Sequence, residues 1–318
     1  KSEEGRQAYF RLVETADVVI ENFRPGVTRR LGIDYEAEKS VKPNIIHCGM
    51  SSFGQDDPRS LKALHDINFQ ALSGYLSLNG GKISPIHFVD VSTGMVAIQS
   101  ILAALLQRSY TGEGAFCDVK MFDSFVWWNA LIDARYDFYG GQITPDTLDF
   151  PALSYNVYPT KDGGSVSIAM LEEKFWAAFL KALDREDLLP YKRFRRQEAP
   201  EAFAAMESIF LSRTTQEWKD FLSDKDICAM PTQTKEEAIS YIISSDTGLM
   251  RYITFPRTGK TLQTRSPISL SSVPISLDGA TPCPLLGEHT VDVLKDLGYS
   301  QENIQSMIEA GAVGAYKE

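Results

Sequence analysis

The stretch GMVAIQSILAALLQRSYTGEGAFCDVKMF, residues 94–122, decides the fold class. Residues 94–108 are apolar on nearly all sides of a helical projection, which predicts a long and buried helix. The polar turn SYTGEG follows, and AFCDVKMF then has the composition of a β-strand. A buried helix that leads at once into a strand is typical of a sheet covered by helices.

The same alternation runs through the sequence before this stretch. A helix is predicted over residues 2–15, capped by Ser2, and apolar β-branched runs follow at ADVVIENF (16–23), NIIHCGMSSFG (44–54) and PIHFVDV (85–91). Helical patterns separate these runs. The order of helix and strand therefore predicts an α/β fold with a mostly parallel sheet.

Downstream, the pattern changes to that of a smaller α+β domain. Residues 140–152 are rich in Gly, Pro and Thr, and Asp162-Gly163-Gly164 predicts the turn of a hairpin. We predict a large α/β domain over residues 1–125 to which 275–318 return, a linker helix over 126–152, a small α+β domain over 153–253 and a return linker over 254–274.

Charge and composition argue against several classes of function. The chain has 32 Lys and Arg against 42 Asp and Glu, a net charge of −10. Because no basic block is long enough to follow a phosphate backbone, we expect no nucleic-acid partner. Local arginines or a helix N-terminus can still bind an anionic small molecule.

The cysteines and the apolar runs complete this picture. Cys48, Cys117, Cys228 and Cys283 have neither disulfide nor zinc spacing, so we expect reduced thiols and no metal site. No uninterrupted apolar run approaches the ~20 residues that cross a bilayer, so we expect a cytoplasmic protein with no membrane partner. The chain opens without Met in the first turn of a predicted helix, and we expect that an upstream segment has been cut off.

Three segments place reactive side chains where strands end or helices begin. His65-Asp66 opens a helical pattern, Asp90 is predicted at the end of the strand 85–91, and Glu172-Glu173 stand at a strand-to-helix junction. Ligands of open α/β sheets bind at the carboxyl ends of the strands. The free N–H groups of the following helix could hold an anion or a developing oxyanion near Asp90.

Each of these residues also has a purely structural interpretation. Asp90 could equally cap its helix, and either glutamate alone is more often a partner of the helix dipole. His65 could simply be hydrogen-bonded to Asp66. We interpret the remaining histidines, His47, His87 and His289, as structural.

Several motifs, in order along the chain, resemble the family III CoA-transferase and α-methylacyl-CoA racemase family, also called CaiB/BaiF-like. They are ADVVIENFRPGVTRRLG (16–32), GMSSFGQDDPRS (49–60), HDINFQALSGYLS (65–77), FVDVSTGM (88–95), LAALLQRSYTGEGAFCDVKMFDS (102–124), YPTKDGGSVSIAMLEEKFW (158–176) and CPLLGEHTVDVLKDLGYS (283–300). The resemblance covers residues 1 to about 310.

The resemblance implies roles for individual residues. His65 matches the catalytic histidine of the racemase branch, Asp90 the catalytic aspartate, and Glu172 the acid that partners the histidine, with Glu173 as the alternative. Residues implied to bind CoA or the acyl group are Arg24, Arg30, Ala63, Leu64, Asp66, Ile67 and Asn68.

The resemblance leaves the activity open among three alternatives. The first is a racemase that moves the α-proton of a 2-methyl-branched acyl-CoA through an enolate, with His65 and Asp90 on opposite faces of the carbon. The second is a CoA transferase in which Asp90 forms an aspartyl-CoA intermediate, and Asp90-Val-Ser-Thr-Gly is closer to the transferase form. The third is a non-catalytic acyl-CoA-binding protein. CoA thioester would be the substrate, with no metal and no redox cofactor.

The resemblance also implies the architecture. It predicts a Rossmann-like large domain, a ring-shaped chain and an interlocked homodimer. In such a dimer Glu172 would reach His65 and Asp90 of the other subunit.

Overall fold

Helices and strands alternate in the first part of the chain. The computed structural model describes residues 1–138, 140–141, 151–245, 247–273 and 275–316. Up to residue 138 the elements are α1 (Glu3–Thr15), β1 (Val18–Glu21), α2 (Val27–Leu31), α3 (Tyr35–Val41), β2 (Ile46–Ser51), α4 (Asp66–Leu72), α5 (Tyr75–Leu78), α6 (Phe88–Thr111), β3 (Ala115–Lys120), α7 (Met121–Trp128) and α8 (Ala130–Phe138).

The three strands form one parallel sheet in the order β1-β2-β3. Val18 pairs with Ile46, and Ile46 pairs with Ala115 on its other side. The central strand β2 is almost entirely buried, as expected of a parallel strand in the middle of a sheet that helices cover. The prediction of a mixed α/β fold with a parallel sheet is confirmed.

The prediction of a strand over 85–91 is wrong, because Phe88–Val91 form the first turn of α6. The β-branched residues Val89 and Val91 favour a strand locally. Asp66 overrides that preference, since its carboxylate accepts hydrogen bonds from the backbone N–H groups of Val89 and Asp90 and thereby caps the helix.

The prediction that the helix at 94–108 is buried on nearly all sides is also wrong for the single chain. Ala97 and Ala104 are buried, and Ala97 packs with Cys48 of β2 and Val119 of β3. The opposite face is exposed. By length and composition α6 could cross a membrane, although no uninterrupted apolar run in it reaches ~20 residues, and the core helix of a soluble protein passes the same test.

Further strands and helices follow residue 150. They are β4 (Tyr155–Pro159), β5 (Ser165–Ala169), α9 (Glu173–Lys181), a 3₁₀ segment (Glu186–Tyr191), α10 (Pro200–Leu211), α11 (Thr215–Leu222), β6 (Ala229–Pro231), α12 (Lys235–Ser244), β7 (Met250–Phe255), β8 (Gly259–Thr264), α13 (Thr290–Asp296) and α14 (Gln301–Glu309). Strands β4, β5 and β6 form an antiparallel sheet, with the predicted hairpin turn between β4 and β5.

The hairpin of β7 and β8 was not predicted, because the prolines, serines and threonines of 254–284 have the composition of a linker. Part of the linker predicted over 126–152, namely residues 139 and 142–150, lies outside the described residues, as does residue 274 of the return linker. The predicted domain boundaries stay predictions.

The chain divides into two compact units. We call Lys1–Asp146 together with Pro284–Glu318 the large unit and Thr147–Cys283 the small unit. In the large unit, Ala8 of α1 packs with Leu294 of α13 and with Ile304 and Met307 of α14. The small unit has one continuous core that includes Trp176, Phe179, Phe210 and Trp218.

Candidate active site

A cleft of about 530 Å³ opens in the large unit where the three parallel strands end. Loop residues after β1, the last residues of β2 and the first residue after β3 contribute to it, as the general rule for open α/β sheets predicts. The lining residues are Asn22, Phe23, Arg24, Pro25, Met50, Ser51, Ser52, Ser60, Lys62, Ala63, Leu64, His65, Asp90, Thr93, Gly94 and Met121. His65 and Asp90 therefore share one cleft.

His65 is the residue that precedes α4. Its backbone N–H donates to Asn68 Oδ1 at 3.0 Å, and its carbonyl oxygen accepts from the Asn68 N–H at 2.8 Å. These two hydrogen bonds close the first turn of the helix and fix the backbone at position 65. The imidazole is exposed and lines the cleft.

Asp66 points the other way and is only 8% exposed. One carboxylate oxygen accepts from Val89 N–H at 2.7 Å and from Asp90 N–H at 3.1 Å, and the other accepts from the Gln70 side chain. Asp66 thus ties the segment that carries His65 to the helix that carries Asp90. The expectation that the free N–H groups of a helix starting near Gly94 would serve an oxyanion is wrong, because α6 begins at Phe88 and Asp66 already accepts from the N–H groups of Val89 and Asp90 in its first turn.

Asp90 lies in the first turn of α6 with its side chain 52% exposed. His87, one turn earlier, places Nδ1 3.5 Å from Asp90 Oδ2. Our interpretation of His87 as a structural histidine missed this pair. Positions i and i+3 share a face of a helix but not of a strand. The incorrect prediction of a strand over 85–91 therefore gave no reason to expect this contact.

Asp66, His87 and Asp90 also place one potential metal ligand each within 4.8 Å of one another. Both oxygens of Asp66 already accept hydrogen bonds from protein donors. Asp66 therefore acts as a cap of α6, and His87 and Asp90 form an exposed pair beside it. This arrangement fits a helix end better than a cation site.

The predicted phosphate-binding arginines lie at two different places. Arg24 lines the cleft, whereas Arg30 borders a separate cavity of about 410 Å³ together with Arg6 and Tyr9. Both arginines belong to one sequence motif, FRPGVTRR. Arg24 lies in the loop before α2, whereas Arg30 lies within α2 and therefore points to a different place. Lys62 and Ser60 line the cleft and were not predicted.

The residues between 63 and 68 that were predicted to contact acyl-CoA also lie at different places. Ala63 and Leu64 line the cleft with His65, while Asp66 is buried and Asn68 is used in the cap of α4. Ile67 is half-buried and does not line the cleft.

Glu172 and Glu173 belong to the small unit. Glu173 Oε1 accepts from Lys192 Nζ at 2.8 Å, so this glutamate has an ion-pair partner within its own unit. Glu172 is exposed, precedes α9 and makes no side-chain hydrogen bond to the N-terminus of that helix. Of the two, Glu172 is the better placed to serve a group outside α9.

Several known proteins are similar to this chain. Residues 1–290 match the family model for CoA-transferase family III. The chain is 30% identical over 316 residues to the alpha-methylacyl-CoA racemase of Mus musculus, covering 96% of this chain and 81% of that protein. It is 28% identical over 331 residues to the succinyl-CoA:glutarate CoA-transferase of Homo sapiens, covering 100% of this chain and 74% of that protein.

A solved structure has the same fold. The crystal structure of a CAIB/BAIF family protein from Brucella suis superposes with a TM-score of 0.76 at 26% identity, covering 93% of this chain and 79% of that chain.

Proposed function

The chain belongs to CoA-transferase family III, whose members are acyl-CoA racemases or CoA-transferases, and we propose that it is the former: an enzyme that racemises 2-methyl-branched acyl-CoA. The family resemblance inferred from the sequence motifs is confirmed, and the chain is an enzyme. The particular reaction is our proposal.

One observation carries this proposal: His65 and Asp90, from two separate segments, line the same cleft. Racemisation at the carbon next to a thioester needs a base on one face and an acid on the other. An imidazole and a carboxylate that can exchange these roles serve both enantiomers. Asp66 supports the pair by joining the two segments through hydrogen bonds to Val89 and Asp90.

The enolate that forms between the two proton transfers needs electrostatic stabilisation. The N–H groups of Val89 and Asp90 already donate to Asp66 and cannot provide it. Arg24 and Lys62 bring positive charge to the cleft lining. In this proposal Lys62 faces the thioester and Arg24 faces the phosphates of CoA.

We also propose that two ring-shaped chains interlock as a homodimer and that Glu172 of one copy orients His65 of the other. The uncovered face of α6 supports this. Val91, Met95, Ile98, Leu102 and Leu106 recur at three- and four-residue spacing and are 45–60% exposed. A contiguous apolar face of this kind marks an interaction surface, and a second copy would cover it.

The dimer has a direct test. Ile98→Asp combined with Leu102→Asp should convert the protein to monomers in sedimentation velocity and abolish activity, whereas Gln99→Asp adds charge beside that face and should do neither. A dimer that survives the double substitution contradicts the proposed interface.

The reaction is tested by α-proton exchange of a chiral 2-methylacyl-CoA in D₂O, followed by NMR. His65→Ala and Asp90→Asn should each reduce exchange by ~10²–10⁴. His289→Ala, a histidine that does not line the cleft, is the matched control. Unchanged exchange in His65→Ala rules out the proposed mechanism.

CoA transfer is the second candidate, and the half-exposed carboxylate of Asp90 in the cleft favours it. The carboxylate would attack the thioester carbonyl and release CoA thiolate, leaving an acyl–aspartyl anhydride. The thiolate would then attack the aspartyl carbonyl, the acyl group would leave as a carboxylate, and Asp90 would become an aspartyl-CoA thioester.

Hydroxylamine trapping distinguishes the two reactions. A hydroxamate on the peptide that contains Asp90, detected by mass spectrometry after turnover, supports transfer. Full transfer activity in His65→Ala would support it as well, because only racemisation requires the imidazole.

A further inference from the structure

A buried histidine flanked by two carboxylates lies on β2, three residues before Met50 of the cleft lining. His47 of β2 is 2% exposed, and its Nδ1 is 2.7 Å from Oε2 of the fully buried Glu38 of α3. Its Nε2 is 3.9 Å from Oε1 of Glu21, the last residue of β1. An imidazole between two carboxylates is most stable when it is protonated.

The groups around His47 are consistent with that charge. The Tyr9 hydroxyl of α1 donates to the second oxygen of Glu38. The rings of Tyr35 and Phe116 pack on the imidazole, with ring centroids 6.3 and 5.3 Å away. Burial alone would lower the pKa of His47, but Glu21 and Glu38 outweigh it and raise the pKa to about 9. At neutral pH His47 is therefore an imidazolium ion.

Glu21 connects this charge to the cleft. Its Oε2 accepts from the Phe23 backbone N–H at 2.5 Å, at the start of the loop 22–25 that lines the cleft. Its Oε1 occupies the space over Gly49, where an added Cβ would lie 2.9 Å away. One oxygen of Glu21 thus lies toward His47 and the other holds the loop.

We propose that His47 is a positioning residue for acyl-CoA: it holds Glu21 so that the loop 22–25 presents Arg24 to the anionic part of CoA. The inference rests on the proposed function in taking acyl-CoA as the ligand and Arg24 as a residue that binds its anionic part. His47 is buried and does not line the cleft, so it should affect binding and not the chemical step. The charged and aromatic groups that face His47 are Glu21, Glu38, Tyr35 and Phe116, and Tyr9 contacts it through Glu38.

Isobutyryl-CoA is a suitable probe, because it carries a 2-methyl branch and an exchangeable α-proton. His47→Gln should raise its KM for α-proton exchange and its Kd in calorimetry by about tenfold, because Glu21 loses the ion pair with His47 that holds it. The kcat should stay within about twofold. His289→Gln is the matched control and should change neither constant.

Two further readouts separate positioning from a general loss of structure. In the wild type, Kd should rise as the pH passes about 9 and His47 loses its proton, whereas in His47→Gln it should not show this rise. In a double-mutant cycle, His47→Gln should add little to Arg24→Ala, because both remove the same contact. Glu21→Gln keeps an acceptor for Phe23 but loses the carboxylate, and it provides a second route if His47→Gln does not fold.

The outcomes are distinct. Wild-type affinity in His47→Gln, an unchanged pH response, or full additivity with Arg24→Ala would overturn the proposal. Calorimetric binding without α-proton exchange would refute the racemase and leave the His47 comparison intact. A wild type that does not bind isobutyryl-CoA would overturn both.

Discussion

The two units of the chain are stabilised in different ways. In the small unit, Tyr158 stacks on Phe210 and Phe210 packs at a tilt against Trp218, with ring centroids 4.7 and 4.6 Å apart inside one apolar core. The large unit has several smaller apolar clusters, and it buries the charged side chains of Glu38, His47 and Asp66. A continuous core stabilises a fold without regard to ligand, whereas buried polar connections fix particular loops. In the large unit, buried Asp66 thus fixes the start of α6, which carries Asp90 into the cleft.

The largest expected change in the free energy of unfolding is in the small unit. Trp218 is fully buried, and its Nε1 donates to the Phe210 carbonyl oxygen at 3.0 Å. Trp218→Ala should lower the free energy of unfolding by about 3–5 kcal/mol, because it leaves a large cavity and removes one hydrogen bond to the Phe210 carbonyl oxygen. Urea denaturation measures this. Tyr241→Ala removes an exposed aromatic side chain of the same unit and should change stability by less than about 0.5 kcal/mol.

The second prediction concerns the large unit and pH. The pKa of His47 is raised from 6.5 to about 9 in the folded state, so its contribution is complete below pH 6.5 and lost as the pH rises through about 9. The free energy of unfolding of the large unit should fall by about 3 kcal/mol across this window. Denaturation at pH 6 and pH 9.5 measures the change. In His47→Gln the difference should disappear, and an equal fall in that variant would contradict the assignment.

The elements that sequence reasoning predicted correctly are those whose signals are local. Ser2 caps α1 by accepting from the Gly5 N–H at 3.1 Å, and Asp162-Gly163-Gly164 forms the turn between β4 and β5. The errors arise where a distant residue decides. Residues 85–91 form a loop and a helical turn instead of a strand, because Asp66, more than twenty residues upstream, caps α6.

The same distinction applies to the site. Parallel strand ends and the family motifs led to His65, Asp90 and Arg24, and the structure places all three at one cleft. Their catalytic and binding roles stay predictions. The separation of Arg30 from the cleft and the contact of His87 with Asp90 depend on how α2 and α6 turn, which residue types alone do not determine.

The third prediction tests whether a buried charge in the large unit serves the site. Asp66→Asn keeps the shape of the side chain but removes the charge that caps α6, and it should cost about 2 kcal/mol. It should also lower kcat for α-proton exchange at least about tenfold, since a displacement of His65 relative to Asp90 disturbs the reacting geometry. Stability and exchange are measured on the same sample.

Asp34→Asn is the matched control for this substitution. Asp34 precedes α3 and makes no side-chain cap hydrogen bond, so its loss of charge should leave both quantities nearly unchanged. A full kcat in Asp66→Asn together with reduced stability would show that Asp66 stabilises the fold without fixing the site.

The smallest effect is expected at Gly94, and the same substitution at Gly164 of the small unit provides the comparison. An added Cβ at Gly94, in α6 at the cleft, meets no atom within 4 Å, whereas at Gly164 it would lie 2.1 Å from Thr215 Oγ1. That hydroxyl is held by Thr160 and Asp162, each at 2.9 Å, so it cannot easily move. Gly164→Ala should therefore destabilise the small unit, and Gly94→Ala should stabilise the large unit by up to about 1 kcal/mol through helix propensity.

The open space at Gly94 has a functional meaning that stability alone does not reveal. If the acyl group lies against this turn of α6, the added methyl group occupies part of its site, so Gly94→Ala should raise the KM for isobutyryl-CoA while it raises the melting temperature. A gain in both stability and affinity would place the substrate elsewhere in the cleft. Higher stability together with weaker substrate binding in Gly94→Ala would show that the space beside Gly94 accommodates a ligand. The space beside Gly164, by contrast, is occupied by Thr215.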